Sequence, residues 1–545
     1  MKNTASECLV CKKVIAKSKR NDKMGIYLNP DNIRFRQAVN SEIYVDKTEL
    51  IKHTNKIVNT EQRFLCVSRP RRFGKTMTAN MLSAYYSKGC NSEELFSKFK
   101  IAKAESFKKH LNQYHVIHIN ITDFISRTDT IDDVLSYISK RILHELNKEF
   151  KDTDCFDRND LLTVLEDVFA DNKVPFIFII DEWDCIFREH KHDEQAQKKY
   201  LDFLRYLLKD KSYIALAYMT GILPIKKYRV HSALNMFTEI SMIDTREYAE
   251  FTGFTEQEVK VLCEKYNMPF EETKHWYNGY YLKGISVCNP CSVVMSMTGE
   301  YFSNFWTSTE TYTALQDYIG MNFDGLRDTI VRLLAGEKQK IDTTTFTNDM
   351  VSFKIQDDVL TLLVHLGYLT FDFDTKEVSV PNYEISEQFV STIRVMNWSE
   401  VVKAVSISHE LLKATLCCDE NKTAELIYQS HSESTSILKY NDENSLACII
   451  SLAYYSAREY YKIIRELPAG EGFADLVFLP RRNCEYPAMI VELKKKTSSV
   501  SVLNQIKEKH YSEGLKSYTG EILLVGITYD EDKKHTCTIE KIVKE

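Results

Sequence analysis

Four short apolar runs separated by helical segments dominate the first half of the chain: RFLCVS (63–68), YHVIHINI (114–121), PFIFII (175–180) and YIALAYMT (213–220). Each is rich in β-branched or aromatic residues and apolar at consecutive positions, so both faces of the strand it forms have to be covered. Strands of this kind, alternating with helices, build a parallel sheet with helices on both sides. Residues from about 25 to 250 are therefore expected to form one α/β domain. Its chemistry is expected at the carboxyl ends of the strands.

The first strand runs into Arg69-Pro70-Arg71-Arg72-Phe73-Gly74-Lys75-Thr76 and then a helix. A phosphate-binding loop needs inward backbone N–H groups, a Lys for the β/γ-phosphates and a hydroxyl for Mg²⁺. Gly74, Lys75 and Thr76 supply the second half of GxxxxGK[ST] in the required strand–loop–helix setting, while Arg69 stands where the first glycine belongs. Taken alone, a GKT tripeptide is a weak signal, and a basic surface loop would carry it as well.

A second element decides between these readings. The run Phe176-Ile177-Phe178-Ile179-Ile180 ends in Asp181-Glu182. In a phosphate-loop ATPase such an Asp holds the Mg²⁺ shell, and the following Glu can polarise the attacking water as a general base. Both elements come in the right order, each at the end of an expected strand. Arg72, Phe73, Gly74, Lys75, Thr76 and Asp181 are the candidate ATP contacts, with Thr76 and Asp181 also for Mg²⁺ and Glu182 for catalysis. Thr220, ending the fourth strand, is placed to sense the γ-phosphate.

The rest of the chain reads as separate pieces. Residues 1–23 form a polar extension that a start at Met24 would remove, followed by the ATPase-like domain at 24–250. A helical lid region (251–345) carries the aromatic HWYNGYYL. At 346–395 a helix, a hairpin with its polar tip at Asp374–Lys376 and a second helix suggest a winged-helix-like module. A helical connector (396–440) leads to a mixed α/β unit at 441–545 with the order α-β-β-β-α-β.

In that last unit Asp475 lies at the start of one expected strand and Glu492-Leu493-Lys494 in the next. Strand side chains alternate, so Glu492 and Lys494 share a face, and a hairpin would bring Asp475 to it. Two converging carboxylates repel, and a divalent cation relieves them. That cation can activate water beside a scissile phosphate, with Lys494 orienting the nucleophile or stabilising the transition state.

The stretches YVDKTELI, SRPRRFGKT, FIIDEWDCIF, YMTGILPIKKY, SALNMF, GFTEQEV and WYNGYY resemble the bacterial AAA-ATPase-like proteins that end in a PD-(D/E)xK nuclease domain. The resemblance spans nearly everything from Met24 onward. It implies a P-loop (AAA-like) parallel-sheet ATPase domain, a helical and winged-helix-like middle and a restriction-endonuclease-like α/β domain. That family also carries Arg at the first loop position, so Arg69 fits it. Asp46 and Lys47 match a further family motif with no role derivable from sequence. Arg71 and Arg72 could contact phosphate, complete a neighbouring subunit's site or simply hold the loop. In the nuclease signature Asp475, Glu492 and Lys494 take the two acidic positions and the lysine. Glu443 matches an additional acidic ligand, Gln505 and Tyr511 match the following helix motif, and Phe473 stands where one branch has Arg.

Composition limits the partners. The formal net charge is −6, so any nucleic-acid contact has to come from local patches such as Lys494, Lys495, Lys496, Lys507 and Lys509. No run approaches the 20 or so apolar residues that span a membrane, and the amino terminus lacks a signal-peptide core. The 14 cysteines then read as reduced cytoplasmic thiols. Cys8/Cys11 and Cys288/Cys291 are too far apart in sequence to favour a shared zinc site. The pairs His115/His118 and His190/His192 read as structural or surface groups, Cys185 as a small buried residue, and the WYNGYY aromatics as packing.

The expected activity is ATP hydrolysis with Mg²⁺ coupled to a metal-dependent nuclease (Mg²⁺, or Mn²⁺ in its place) acting on DNA or RNA, with homo-oligomerisation left open. The alternative is an ATP-switched recognition factor for nucleic acid or protein whose nuclease fold does not cut.

Overall fold

A computed structural model describes every residue except 1–24, 226–233, 307–311, 322, 349, 435–442, 470–471, 483, 496, 510–514, 516–517, 530–534 and 545. The described residues form two compact units. The first runs to Ser303 and includes Ile341–Val378; the second comprises Asn304–Lys340 and the chain from Ser379 onward.

The first unit is built on five strands: β1 (Phe64–Ser68), β2 (His115–Asn120), β3 (Phe176–Asp181), β4 (Ile214–Gly221) and β5 (Thr238–Ile240). Their order is β2-β3-β4-β1-β5, and every neighbouring pair is parallel. The double apolar pattern has the expected consequence. Phe64, Cys66, Ile117, Phe178 and Met219 enter one core, while Leu65, Val67, Val116, Ile177 and Tyr218 enter the core on the opposite face. Beyond the four runs read from sequence, β5 adds an edge strand of three residues.

The amino-terminal edge of this unit is pinned by a buried carboxylate. Glu145, on the helix Ile131–Glu149, accepts hydrogen bonds from the backbone N–H groups of Ile26, Tyr27 and Leu28 at 3.2, 3.0 and 2.8 Å. A Cβ on Gly25 would meet Leu28 O at 2.3 Å and Glu145 Oε2 at 2.4 Å, so this strap cannot carry a side chain there.

After residue 250 the first unit is not purely helical. Helices Glu256–Tyr266, Phe270–Tyr277 and Pro290–Gly299 flank a small antiparallel sheet of Phe254–Thr255, Tyr280–Leu282 and Ile285–Cys288. Lys283 and Gly284 take φ of +50° and +82°, the left-handed pair that closes a two-residue hairpin. Tyr280 and Leu282 alternate inward with exposed Tyr281 between them, so WYNGYY is largely packing. Further along the chain come the helix Gln356–Leu366 and strands Thr370–Asp372 and Glu377–Ser379, and then the helix Tyr383–Val395 of the second unit, in the order read from sequence.

The second unit ends in a five-stranded sheet: β6 (Tyr461–Ala469), β7 (Gly472–Pro480), β8 (Ala488–Lys495), β9 (Gly520–Tyr529) and β10 (His535–Lys544), in that spatial order. β8 and β9 are parallel and the other neighbours antiparallel. The observed order is α-β-β-β-α-β-β, so the sequence reading stopped one strand short. HTCTIEKIVK interrupts its apolar positions with charge, as suits an edge strand. The crossover helix Ser499–Glu508 lies very close to β9: a Cβ on Gly526 would stand 2.6 Å from the Ser499 carbonyl oxygen. No helix among the described residues is long and apolar enough to cross a membrane.

Candidate functional sites

The loop after β1 turns through two left-handed residues, Arg72 (φ +68°) and Gly74 (φ +87°), and Gly74 caps the helix Lys75–Tyr86. Lys75 is buried, and its Nζ donates to the Pro70 carbonyl at 2.9 Å. Burial lowers its pKa, opposed by the nearby carboxylates Glu182, Asp184 and Asp181. Thr76 is exposed in the first turn. Phe73 was read as a nucleotide contact, but its side chain is buried against Tyr280, with ring centroids 5.1 Å apart. Its backbone belongs to the loop and its ring to the packing beneath it.

Arg69 explains how the loop tolerates the missing first glycine. The side chain is fully buried, with Nε 2.9 Å from Thr252 Oγ1 and a terminal nitrogen 2.9 Å from the Ser68 carbonyl. Burial brings its pKa down to about 10. Arg69 therefore braces the base of the loop from below. Arg72 donates to Cys291 Sγ at 3.2 Å. Cys288, the other half of that CxxC pair, faces Asn278 Oδ1 at 3.5 Å, and burial pushes its thiol pKa far up.

Asp46 and Lys47 also acquire partners. Asp46 Oδ1 accepts from the backbone N–H and the hydroxyl of Thr48, and Oδ2 accepts from Lys100 N–H at 2.9 Å. Lys47 Nζ reaches the Glu250 carbonyl at 2.7 Å and Glu258 at 2.6 Å. This pair ties the start of the helix Glu49–Ile57 to the segment leading into the helix Glu256–Tyr266.

Sheet order brings the remaining loop-site residues together. Asp181 ends β3, is 1% exposed, and lies beside Thr220 at the end of β4. Thr220 Oγ1 donates to Asp181 Oδ1, whereas Asp181 Oδ2 is buried with no hydrogen-bond partner among the described residues. A buried carboxylate oxygen without a donor is costly, so the site suits a hydrated Mg²⁺ there. Glu182 follows with φ +52°, and burial raises its pKa.

Two residues missed from sequence, Asp184 and Arg188, complete this end of the sheet. Arg188 pairs directly with Glu182, and its Nε lies 3.3 Å from Asp184 Oδ2. Their i,i+4 spacing was the available signal. Cys185 is buried and its thiol pKa is raised by burial, which fits a packing role. His115 and His118 are held down to about 3 and about 4 by burial.

In the second unit Asp475 lies on β7 and Glu492 and Lys494 on the adjacent β8, and the register Leu476↔Val491 brings Asp475 level with Glu492. Leu493 N–H donates to Asp475 Oδ2 at 2.7 Å, and Asp475 N–H to Glu492 Oε2 at 3.4 Å. Glu492 is 1% exposed, and its pKa is raised to about 7 by burial and then by Asp475, with Lys494 opposing. Lys494 Nζ is 3.7 Å from Glu492 Oε1, and Gln505 Nε2 donates to that same oxygen at 3.1 Å. Two adjoining carboxylates, one buried and held partly protonated, are a donor set a divalent cation fits.

Phe473 is 62% exposed, two residues before Asp475 on β7. Lys507, read as part of a basic patch, instead pairs with Glu540 at 2.6 Å. Glu443 opens the helix Glu443–Ala453, but its side chain, like that of Lys495, lies outside the described residues. Lys496, Tyr511, Cys8 and Cys11 also lie outside them. Among the described residues no group of three or more His, Cys, Asp or Glu is placed to hold a metal ion.

A family model described as "Predicted AAA-ATPase" matches residues 34–231, and one for the PD-(D/E)XK nuclease superfamily matches residues 441–539. A curated relative, an uncharacterized protein in the vnfD 5′ region of Azotobacter chroococcum mcd 1, is 25% identical over 285 residues. That match covers 51% of this chain and 52% of the relative, so the chain spans about half the relative's length. Among solved structures, the ORC2 protein of Aeropyrum pernix (ADPNP-ADP complexes) overlaps 66% of this chain and 98% of its own at 12% identity and a TM-score of 0.26. Cdc6p of Pyrobaculum aerophilum overlaps 67% of this chain and 94% of its own at 10% identity and 0.23. Overlaps that shallow carry no weight for fold or function. The parallel sheet with its phosphate-type loop, the carboxylate pair on β7 and β8, and the two family matches agree: the chain carries an AAA-ATPase-like domain over residues 34–231 and a PD-(D/E)XK nuclease superfamily domain over residues 441–539.

Proposed function

We propose that this chain binds and hydrolyses ATP with Mg²⁺ and cleaves phosphodiester bonds of nucleic acid, foremost DNA, at a metal-dependent site. The observation that carries the cleavage reading is the convergence of Asp475, Glu492, Lys494 and Gln505 at one end of β8. Nothing in the packing of a five-stranded sheet requires a 1%-exposed carboxylate beside a second carboxylate.

In the first unit, Gly74, Lys75 and the Arg72–Phe73 backbone would cradle the phosphates, and Thr76 and Asp181 would hold Mg²⁺. Glu182 takes the proton of the attacking water, and Thr220 reads the γ-phosphate through its contact with Asp181. In the second unit, Asp475 and Glu492, with Glu443 as a further ligand, hold Mg²⁺ or Mn²⁺. A cation held there would supply water activation and neutralisation of charge on the scissile phosphate. Lys494 orients the nucleophile, and Gln505 holds the Glu492 carboxylate in place.

The chain is proposed to divide at 24–250, 251–345, 346–395, 396–440 and 441–545, to act in the cytoplasm and to self-associate. ATP binding is proposed to gate cleavage, which requires different ATP affinities in two arrangements of the protein. The test is a cleavage assay over single- and double-stranded DNA and RNA, with Mg²⁺ or Mn²⁺ and with or without ATP. Cutting that is indifferent to ATP would remove the gating. No cutting of any substrate, with ATP turnover intact, would leave the ATP-switched recognition factor as the reading.

A further inference from the structure

We infer that Arg188 is the positioning residue of Glu182, with Asp184 as its anchor; this rests on the ATP-hydrolysis reading above. Glu182 sits at φ +52°, a conformation that residues with a side chain rarely adopt and that surrounding structure has to hold. Its Oε2 is taken by a terminal nitrogen of Arg188. The Arg188 side chain is only 12% exposed, and its Nε lies 3.3 Å from Asp184 Oδ2.

Asp184 is itself fixed. It is fully buried, and the same Oδ2 accepts the backbone N–H groups of Ile222 at 3.1 Å and Leu223 at 2.9 Å. Those residues directly follow β4. A Cβ on Gly221 would stand 2.6 Å from Asp184 Oδ1 and 2.7 Å from the Trp183 ring, so only glycine lets the two segments approach this closely. A continuous path of contacts therefore runs from the end of β4 through Asp184 and Arg188 to Glu182.

The geometry matches the requirement for a general base: a base oriented by a third group that is anchored elsewhere. The ion pair runs through the Oε2 oxygen of Glu182. A guanidinium suits this role because its planar fork fixes direction, whereas an ammonium acts as a point charge. The same β4 end carries Thr220, which bonds to Asp181. Both acids of the pair are thus referenced to one strand end, Asp181 directly and Glu182 through Asp184 and Arg188.

Steady-state ATP hydrolysis by the full chain tests this. Arg188→Ala is expected to lower kcat by about 10- to 100-fold while KM for ATP stays unchanged, as misplacing a catalytic group does. Arg188→Lys should lose less, and it carries the test if Arg188→Ala does not fold. Asp184→Asn should shift kcat in the same direction. A folded Arg188→Ala protein with undiminished kcat, or with KM changing in step with kcat, would overturn the inference. Wild-type protein that binds ATP without turning it over would instead overturn the ATPase reading beneath it. Turnover lost in Glu182→Gln but kept in Arg188→Ala would overturn the positioning role alone.

Discussion

Lys75 Nζ donates a hydrogen bond to the carbonyl oxygen of Pro70, 2.9 Å away in the loop that the lysine itself closes. The ammonium is buried, and three carboxylates nearby oppose the fall in its pKa. The loop thus holds the lysine on a backbone acceptor that a phosphate oxygen can replace.

Lys75→Ala should therefore weaken ATP binding by about 100-fold or more, the equivalent of two lost charge-assisted hydrogen bonds. Calorimetric titration with Mg·ATP checks this. Retention of wild-type affinity would mean that the loop is not the nucleotide site.

Glu492→Gln and Lys494→Ala should each abolish cleavage while leaving ATP turnover at the wild-type rate. Parallel nuclease and phosphate-release assays on the same preparations make the comparison. If both activities fell together, the substitution would have damaged the protein rather than the site.

The raised pKa of Glu492 also makes a stability prediction. Its folded value of about 7 lies above the reference 4.5, so without divalent cation the folded chain binds more protons across that window. Stability should then fall as pH rises from about 4.5 to 7, by an amount of order 3 kcal/mol. Glu492→Gln should remove that slope. Added Mg²⁺ or Mn²⁺ should raise the Tm of wild type at pH 8 and not that of the variant. Equal pH slopes in the two proteins would contradict this account of the site.

Gly526→Ala should cost about 1–3 kcal/mol, because its Cβ would meet the Ser499 carbonyl at 2.6 Å and the Leu503 nitrogen at 3.2 Å. Those atoms belong to the helix that carries Gln505, so the substitution should also reduce cleavage. Denaturant unfolding and the nuclease assay read the two effects separately.

Glu145→Ala should destabilise the first unit by about 2–4 kcal/mol, since three backbone N–H groups lose one charged acceptor. By the same reasoning a chain beginning at Met24 should keep its fold, whereas one beginning at Pro30 should not. Circular dichroism melts of the three proteins check both statements.

Much of this was readable from local pattern. Consecutive apolar positions in FLCVS and FIFII specified strands covered on both faces, with Asp181 at the end of one and the helix beginning at Lys75 after the other. The triplet Glu492-Leu493-Lys494 likewise put two functional groups on one face of β8 by alternation alone. Arg69 was legible only as a departure from a pattern. Its role as a buried brace needed Thr252, 183 residues away.

The sequence by itself determined the central buried strands, the faces they bury and the charged residues at their ends, because those properties repeat with the short periods of helix and strand. The short edge strands, less apolar, carried no such signal. Tertiary structure alone decided the partners. The order β2-β3-β4-β1-β5 sets Asp181 beside Thr220 and brings Asp184 to the amides of Ile222 and Leu223. The close approach at Gly526 carries Gln505 to Glu492, and Lys507 is drawn from the expected basic patch to Glu540 on β10. Such contacts depend on which strands become neighbours and how closely a helix descends on a sheet, and residue spacing along the chain does not encode either distance.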